Sequence, residues 1–229
     1  GNSLKVAKDL RSKSAEIGGS LEVDGNTYVD KIEVGGTVFL KGNLKGESVS
    51  VGGTFEVKGS AEIESLDVGG TAKIGGGTVK DIDVGGTFES TGKLSFEKID
   101  VGGTTRLADG SVGGSIDVGG TLDADGSFEF QDIDVGGVVR MKGPAKGKSV
   151  EVGGELRVDD GLTMEGDIEV GGAVRVGGEL KAGKVEVGGE LKVDKALTID
   201  DIEVGGAVRV GGEMKARKVE GGGSLGAEV

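Results

Sequence analysis

The stretch "IEVGGAVRVGGELKAGK" at residues 168–184 returns as "IEVGGAVRVGGEMKARK" at residues 202–218, with 15 of 17 positions identical. A paler form of the same line fills the rest of the chain. Aligned on an apolar residue followed by Gly-Gly, the first glycine falls at 18, 35, 52, 69, 85, 102, 119, 136, 153, 171, 188 and 205. The steps are 17 residues apart from one of 16 and one of 18. A fixed period of this length marks a repeat architecture in which each unit buries its apolar face against its neighbours.

Within one repeat the apolar period is two. Ile32, Val34, Gly36, Val38, Leu40, Gly42 and Leu44 share one parity, and Lys31, Glu33, Thr37, Lys41 and Lys45 take the other. That is the alternation of strands, not of helix. Because 17 is odd, strict alternation would turn the core side outward in the next repeat, so each repeat must absorb one residue at a corner. The slack falls between Leu44 and Val49, where the 16-residue repeat reads "IGGGTVKDI" and the 18-residue one "VDDGLTMEGDI".

Stacking repeat on repeat produces columns. One runs Ala15, Ile32, Val49, Leu66, Ile82 and on to Ile202 and Val219, and the next runs Ile17, Val34, Val51 and on to Val204. Unbroken β-branched columns suit parallel strands buried against their own copies. Leu94 with Phe96, Phe128 with Phe130, Leu162 with Met164 and Leu197 with Ile199 fill a third face. The Gly-Gly pairs are expected at corners that need positive φ and leave no room for a side chain. The prediction is one all-β domain over residues 1–229, a single-stranded parallel β-helix (β-solenoid) of about 13 rungs and roughly triangular section, with less regular rungs at 1–16 and 219–229. At about 4.8 Å per rung such a rod is roughly 60 Å long.

Composition bounds the function. The 229 residues include 50 Gly, one Pro, and neither Cys, His nor Trp. No disulfide framework or thiolate chemistry is available, and no run approaches the ~18 apolar residues of a membrane span. The net charge of −13 is concentrated in residues 61–137, which hold 5 basic and 15 acidic residues. That argues against nucleic acid as a partner. Catalysis has little to draw on: no nucleophile elbow occurs, the glycine-rich stretches lack the Gly-Lys-Ser/Thr ending of a phosphate loop, and they depart from the calcium-binding GGxGxD repeat. Solenoid polysaccharide lyases and hydrolases carry carboxylates on a strand face, which keeps an acidic ladder as the one catalytic alternative. The expectation is a protein that is not an enzyme and uses no cofactor or metal.

Two outward ladders stand out. The position between the core columns is acidic almost throughout, including Asp83, Asp100, Asp117 and Asp134, while a basic column reads Arg140, Arg157, Arg175, Lys192, Arg209. These are candidate lateral contacts between rods, set against their simpler role as a solvated surface that keeps edges from pairing. A third ladder, Thr37, Thr54, Thr71, Thr87, Thr104 and Thr121, lacks the second flat rank that ice binding would need.

Repeats of the type "VEVGGELKVD" (residues 185–194), rich in Gly, Val and alternating charge, resemble the bactofilin family of polymer-forming cytoskeletal proteins over nearly the whole chain. The resemblance implies a right-handed β-helix that polymerises end to end without nucleotide and scaffolds client proteins at the cell envelope. The array is longer than the usual bactofilin core, and the short apolar or basic tail that takes many members to the membrane is missing, so direct membrane insertion is not expected. The repeat register persists to both ends, placing Leu4, Val6 and Leu10 at one and Val219, Leu225 and Ala227 at the other as the candidate self-assembly interface. A cytoplasmic location is the expectation. An encoded signal peptide before Gly1 would instead point to an exported surface, adhesive or carbohydrate-binding solenoid.

Overall fold

The structure is a computed structural model that describes residues 2–227, with the backbone alone for Leu225 and Ala227. The described residues form strands and turns without helix, and the strands are parallel, in coils about 17 residues apart and about thirteen in number. The predicted parallel β-solenoid is therefore present. The chain divides into two compact units, Gly1–Gly113 and Gly114–Val229.

Each coil holds a short strand after the Gly-Gly corner and then either one longer, bent strand, such as Thr27–Val34, or two shorter ones in its place, such as Leu44–Lys45 and Ser48–Val51. In the first unit the short strands include Leu4–Val6, Ser20–Val23, Thr37–Leu40, Thr54–Val57 and Thr71–Ile74, paired in order and in parallel. The second unit repeats this with Val138–Met141, Glu155–Val158, Ala173–Val176, Leu191–Val193 and Val208–Val210. Apolar residues stand on apolar ones and Arg on Arg: Val139, Arg140 and Met141 are the Cα partners of Leu156, Arg157 and Val158.

The long strand explains the odd period. In Thr27–Val34 the inward residues are Thr27, Val29, Ile32 and Val34, while Asp30 and Lys31 both face solvent. Two consecutive outward residues reset the parity, and the same break recurs at Glu64-Ser65 in Ala61–Val68 and at Lys80-Asp81 in Gly77–Val84. There the chain turns from one face to the next, and the Glu64 and Ser65 N–H groups both donate to the Glu47 carbonyl of the coil before at 2.9 Å. The slack is where the sequence placed it. The core is almost wholly aliphatic, with Ile32, Val38 and Leu40 fully buried and Phe55 and Phe88 filling the first unit from its short strands.

The glycine corners correct one expectation. Among the described residues positive φ occurs only at Gly76, Gly77, Gly110 and Gly126, and at none of the Gly-Gly pairs. Those pairs are required by contact along the stack: a Cβ on Gly53 would stand 2.7 Å from the Gly36 carbonyl oxygen, and one on Gly70 2.6 Å from that of Gly53. Backbone packs directly on backbone there, so glycine is selected by close approach rather than by dihedral angle. Gly76 and Gly77, with φ of 112° and 116°, lie where the 16-residue coil is one residue short. That is where the mirror-image conformation open to glycine is used.

Two variants of adjacent residues test the parity. Val135 is fully buried between its register partners Val118 and Val152, while Asp134 is exposed. Val135→Asp should cost more than about 4 kcal/mol, because it buries a charge without a partner. Asp134→Lys should change stability by less than about 1 kcal/mol. Equal losses of thermal stability would show the column assignment to be wrong.

The near-identical stretches generate a second test. Ile168 pairs with Val150 and Ile202 with Val185, all in one column. Removing residues 168–201 sets Ile202 on Val150, so the shortened chain should fold with unchanged β-sheet circular dichroism per residue. Its second unit should lose two strand spacings, about 10 Å in scattering. A deletion of 26 residues, a coil and a half, should aggregate.

Candidate functional site

The candidate interface residues sit on the outermost strands. Leu4–Val6 pairs only with Ser20–Val23, and Leu10–Ile17 only with Thr27–Val34, so among the described residues the outer edge of each has no strand against it. Leu4 is 42% exposed and Val6 and Leu10 are half-buried, whereas their column partners Leu21 and Val23, one coil further in, are buried. At the other end Met214–Gly221 pairs only with Leu197–Val204, and Leu225–Ala227 only with Val208–Val210. Val219 is 45% exposed above the buried Ile202. The side chains of Leu225 and Ala227 lie outside the described residues. The structure thus carries the repeat register to both terminal strands and leaves both sets of edge groups open, which is the geometry a further parallel strand would complete.

The first coils are held by bonds that the columns alone did not reveal. Asp9 Oδ1 accepts from the Asn26 N–H, Asn26 Oδ1 from the Asn43 N–H, and Asn43 Oδ1 from the Ser60 N–H, each at 2.9 Å. This ladder satisfies a corner where the strands break, and its sequence signal is polar residues at 9, 26, 43 and 60, each 17 apart. Lys5 donates to Glu22 at 2.9 Å and Ser20 to Ser3 at 2.9 Å, tying the first short strand to the second. The Lys5 hydrogen bond holds the Glu22 carboxyl below its ordinary pKa, and Lys41 does the same for Asp24. Any stability these carboxylates add is present above the ordinary carboxylate range and is lost as the pH falls through their lowered pKa values. Tyr28 lies on the next coil, 38% exposed, with the Arg11 guanidinium 4.4 Å from its ring centre.

The two charged ladders are real, but differ in how they are balanced. Arg140, Arg157, Arg175, Lys192 and Arg209 are successive register partners on the short strands. Each already has an acidic partner: Asp123 at 3.5 Å, Asp159 at 2.9 Å, Glu155, Asp194 at 3.1 Å and Glu190 respectively. The basic column is therefore largely neutralised within the chain. On the long strands Asp83 pairs in register with Asp100, and Asp117, Asp134, Glu151 and Glu169 follow one another through the second unit. Lys98 approaches Asp100 at 3.8 Å. Among the described residues, Asp134, Glu151 and Glu169 have no basic side chain at ion-pair distance. Among the described residues no three His, Cys, Asp or Glu side chains converge as a metal site. Two surface clefts follow the ladders, one beside Arg157, Arg175 and Lys192 and another beside Asp81, Asp83 and Asp100. Thr37, Thr54, Thr71, Thr87 and Thr104 also stack in register as a single outward rank.

Comparison with protein-family models, with curated proteins and with solved structures gives no match to this chain.

Unbalanced like charges one strand spacing apart, about 5 Å, repel by roughly 1 kcal/mol in a water-like dielectric. Glu151→Lys places a cation between Asp134 and Glu169 and should stabilise the protein by about 0.5–1 kcal/mol at low ionic strength. The gain should vanish near 1 M salt, where the Debye length is about 3 Å. A gain that persists in high salt would show that packing, not charge, is responsible.

Proposed function

We propose that this protein is a structural element that polymerises with its own kind, end to end and without nucleotide, into a cytoskeletal-type filament or scaffold. The observation that carries this reading is the open strand edge at each end of the described residues: the repeat register runs into the outermost described strands, and among the described residues each pairs on one side alone. Solenoids that stay monomeric protect their terminal coils with atypical, polar repeats. Here Leu4 and Val219 are exposed in columns that are buried one coil further in. Joining two copies would supply each edge with the kind of parallel partner that every interior coil already has, both in backbone pairing and in apolar cover.

The same reading gives the charged ladders a supporting part. Outward carboxylates such as Asp117 and Asp134 keep the strand faces solvated and oppose unguided side-by-side association, so growth is directed to the ends. The resemblance of the repeats to bactofilins supports it as well, and brings with it a cytoplasmic scaffold whose clients are proteins of the cell envelope. The reading involves no catalysis and no cofactor.

High-speed pelleting and negative-stain electron microscopy of the purified chain, without nucleotide and across a range of salt, test the proposal. Filaments are expected. Val6→Asp puts an unpaired carboxylate in the end interface and should abolish pelleting, or raise the threshold concentration by more than about tenfold, with the β-sheet circular dichroism retained. A monodisperse monomer at high protein concentration in every salt condition would overturn the reading.

A further inference from the structure

Asp-Gly occurs at Asp24, Asp109, Asp125 and Asp160, each time at the corner between a short strand and the strand that follows it. Such a pair carries a reaction of its own. The nitrogen of the residue after an aspartate can attack the side-chain carbon Cγ and close a cyclic imide, and glycine brings no side chain to obstruct the closure. In a folded protein the outcome turns on whether the two groups are already held together.

At Asp160 they are. The Gly161 N–H donates to Asp160 Oδ1 at 2.8 Å, which brings Cγ, one bond further on, within reach of the same nitrogen. Asn26, Asn43 and Ser60 donate from the equivalent corner position to a side chain of the coil before, whereas Gly161 turns its N–H back on the residue that precedes it. Asp160 is exposed, and a Cβ on Gly161 would meet nothing nearer than 3.4 Å, so the link between them has room to turn on that side. Asp24 and Asp125 are placed otherwise. Their carboxylates pair with Lys41 and Lys142, and a Cβ on Gly25 would fall 2.7 Å from the Asp9 nitrogen.

We propose that Asp160-Gly161 is a site of covalent self-modification, where aspartate converts to isoaspartate through a cyclic imide. The Gly161 nitrogen forms a bond to Cγ of the protonated carboxyl, and the carboxyl OH leaves with the amide hydrogen as water. Water then opens the imide at one of its two carbonyls. Opening at Cγ restores aspartate. Opening at the backbone carbonyl breaks the original peptide bond, so the main chain runs on through Cβ and Cγ, one methylene longer, and the old carbonyl becomes a free carboxylate. Water is the sole co-reactant.

The corner is suited to absorb the change. It lies in the 18-residue coil, where the chain already departs from its period. The Asp160 carbonyl oxygen accepts from the Gly178 N–H at 3.0 Å, and as a carboxylate oxygen it is a stronger acceptor for the same bond. The partner that this chemistry fits is a carboxyl methyltransferase that esterifies isoaspartyl carboxylates and so returns them to the imide.

The test keeps the protein folded for weeks in mildly acidic buffer, beside a second sample in denaturant, and cuts both with trypsin. Residues 158–175 and residues 14–31 are each released as one peptide, carrying Asp160 and Asp24 respectively. Isoaspartate is measured by methyl transfer with an isoaspartyl methyltransferase and located by electron-transfer fragmentation. Several-fold more isoaspartate is expected at Asp160 than at Asp24 in the folded sample, with the two alike in denaturant, where local sequence alone acts. Asp160→Glu, whose imide needs a larger ring, should remove the signal from residues 158–175 and leave the β-sheet circular dichroism unchanged. The proposal is overturned if Asp160 converts no faster than Asp24 in the folded protein, or if the same ratio appears in denaturant. A signal that survives in Asp160→Glu would place the chemistry at another aspartate of that peptide and overturn it as well.

Discussion

Each interior coil of this protein is held by what stands one strand spacing above and below it. The contact recurs coil after coil at the Gly-Gly corners, where the chain of one coil rests on the carbonyls of the coil before, with no space for even a Cβ. That constraint fixes the period, since the corner of each coil must lie directly over the last. The fixed period in turn makes the columns, because the same register brings one buried aliphatic residue over another, Ile133 on Val150 and Val185 on Ile202. Length variation falls away from the Gly-Gly corners, on the segment that leads into the long strand. The one-residue deficit near Gly76 is accommodated in that way, with two glycines in the left-handed region.

Much of this was legible in the sequence because a repeat shows each structural position a dozen times over. The buried columns, the outward ladders and the corner that absorbs the odd residue all follow from period and parity, and Asp30 with Lys31 stands where that argument puts it. The reason for the glycines did not follow. A sequence records that a side chain is absent but not whether a dihedral or a neighbour forbids it, and the backbone contact at Gly53 is a property of the stack. The side-chain ladder from Asp9 to Ser60 was hidden for a different reason. Its members change identity from Asp to Asn to Ser, so no single residue type repeats although the acceptor does.

Of the candidate sites, the end strands were legible as positions in the repeat, and Leu4 and Val219 are exposed as the missing neighbour implies. The charged ladders were legible as patterns but not in their balance. Nothing in the order Arg140, Arg157, Arg175 tells that Asp123, Asp159 and Glu155 reach them, because those pairings depend on rotamers across coils as well as along them. The acidic ladder keeps its charge around Glu151, since the neighbours of Glu151 in its column, Asp134 and Glu169, are themselves acidic. The basic column from Arg140 to Arg209 is thus balanced and the stretch Asp134, Glu151, Glu169 is not, although the same repeat builds both.

The near-absence of aromatic residues has an optical consequence. The chain has one tyrosine, Tyr28, and no tryptophan. That tyrosine lies half-open in the second coil, against Arg11 of the first. Its fluorescence therefore comes from a single place, the first two coils, while the remaining coils are dark apart from weak phenylalanine bands. A change in tyrosine quenching or polarisation reads the N-terminal edge of the unlabelled protein, and bulk melting of the second unit leaves that signal untouched wherever the two events separate.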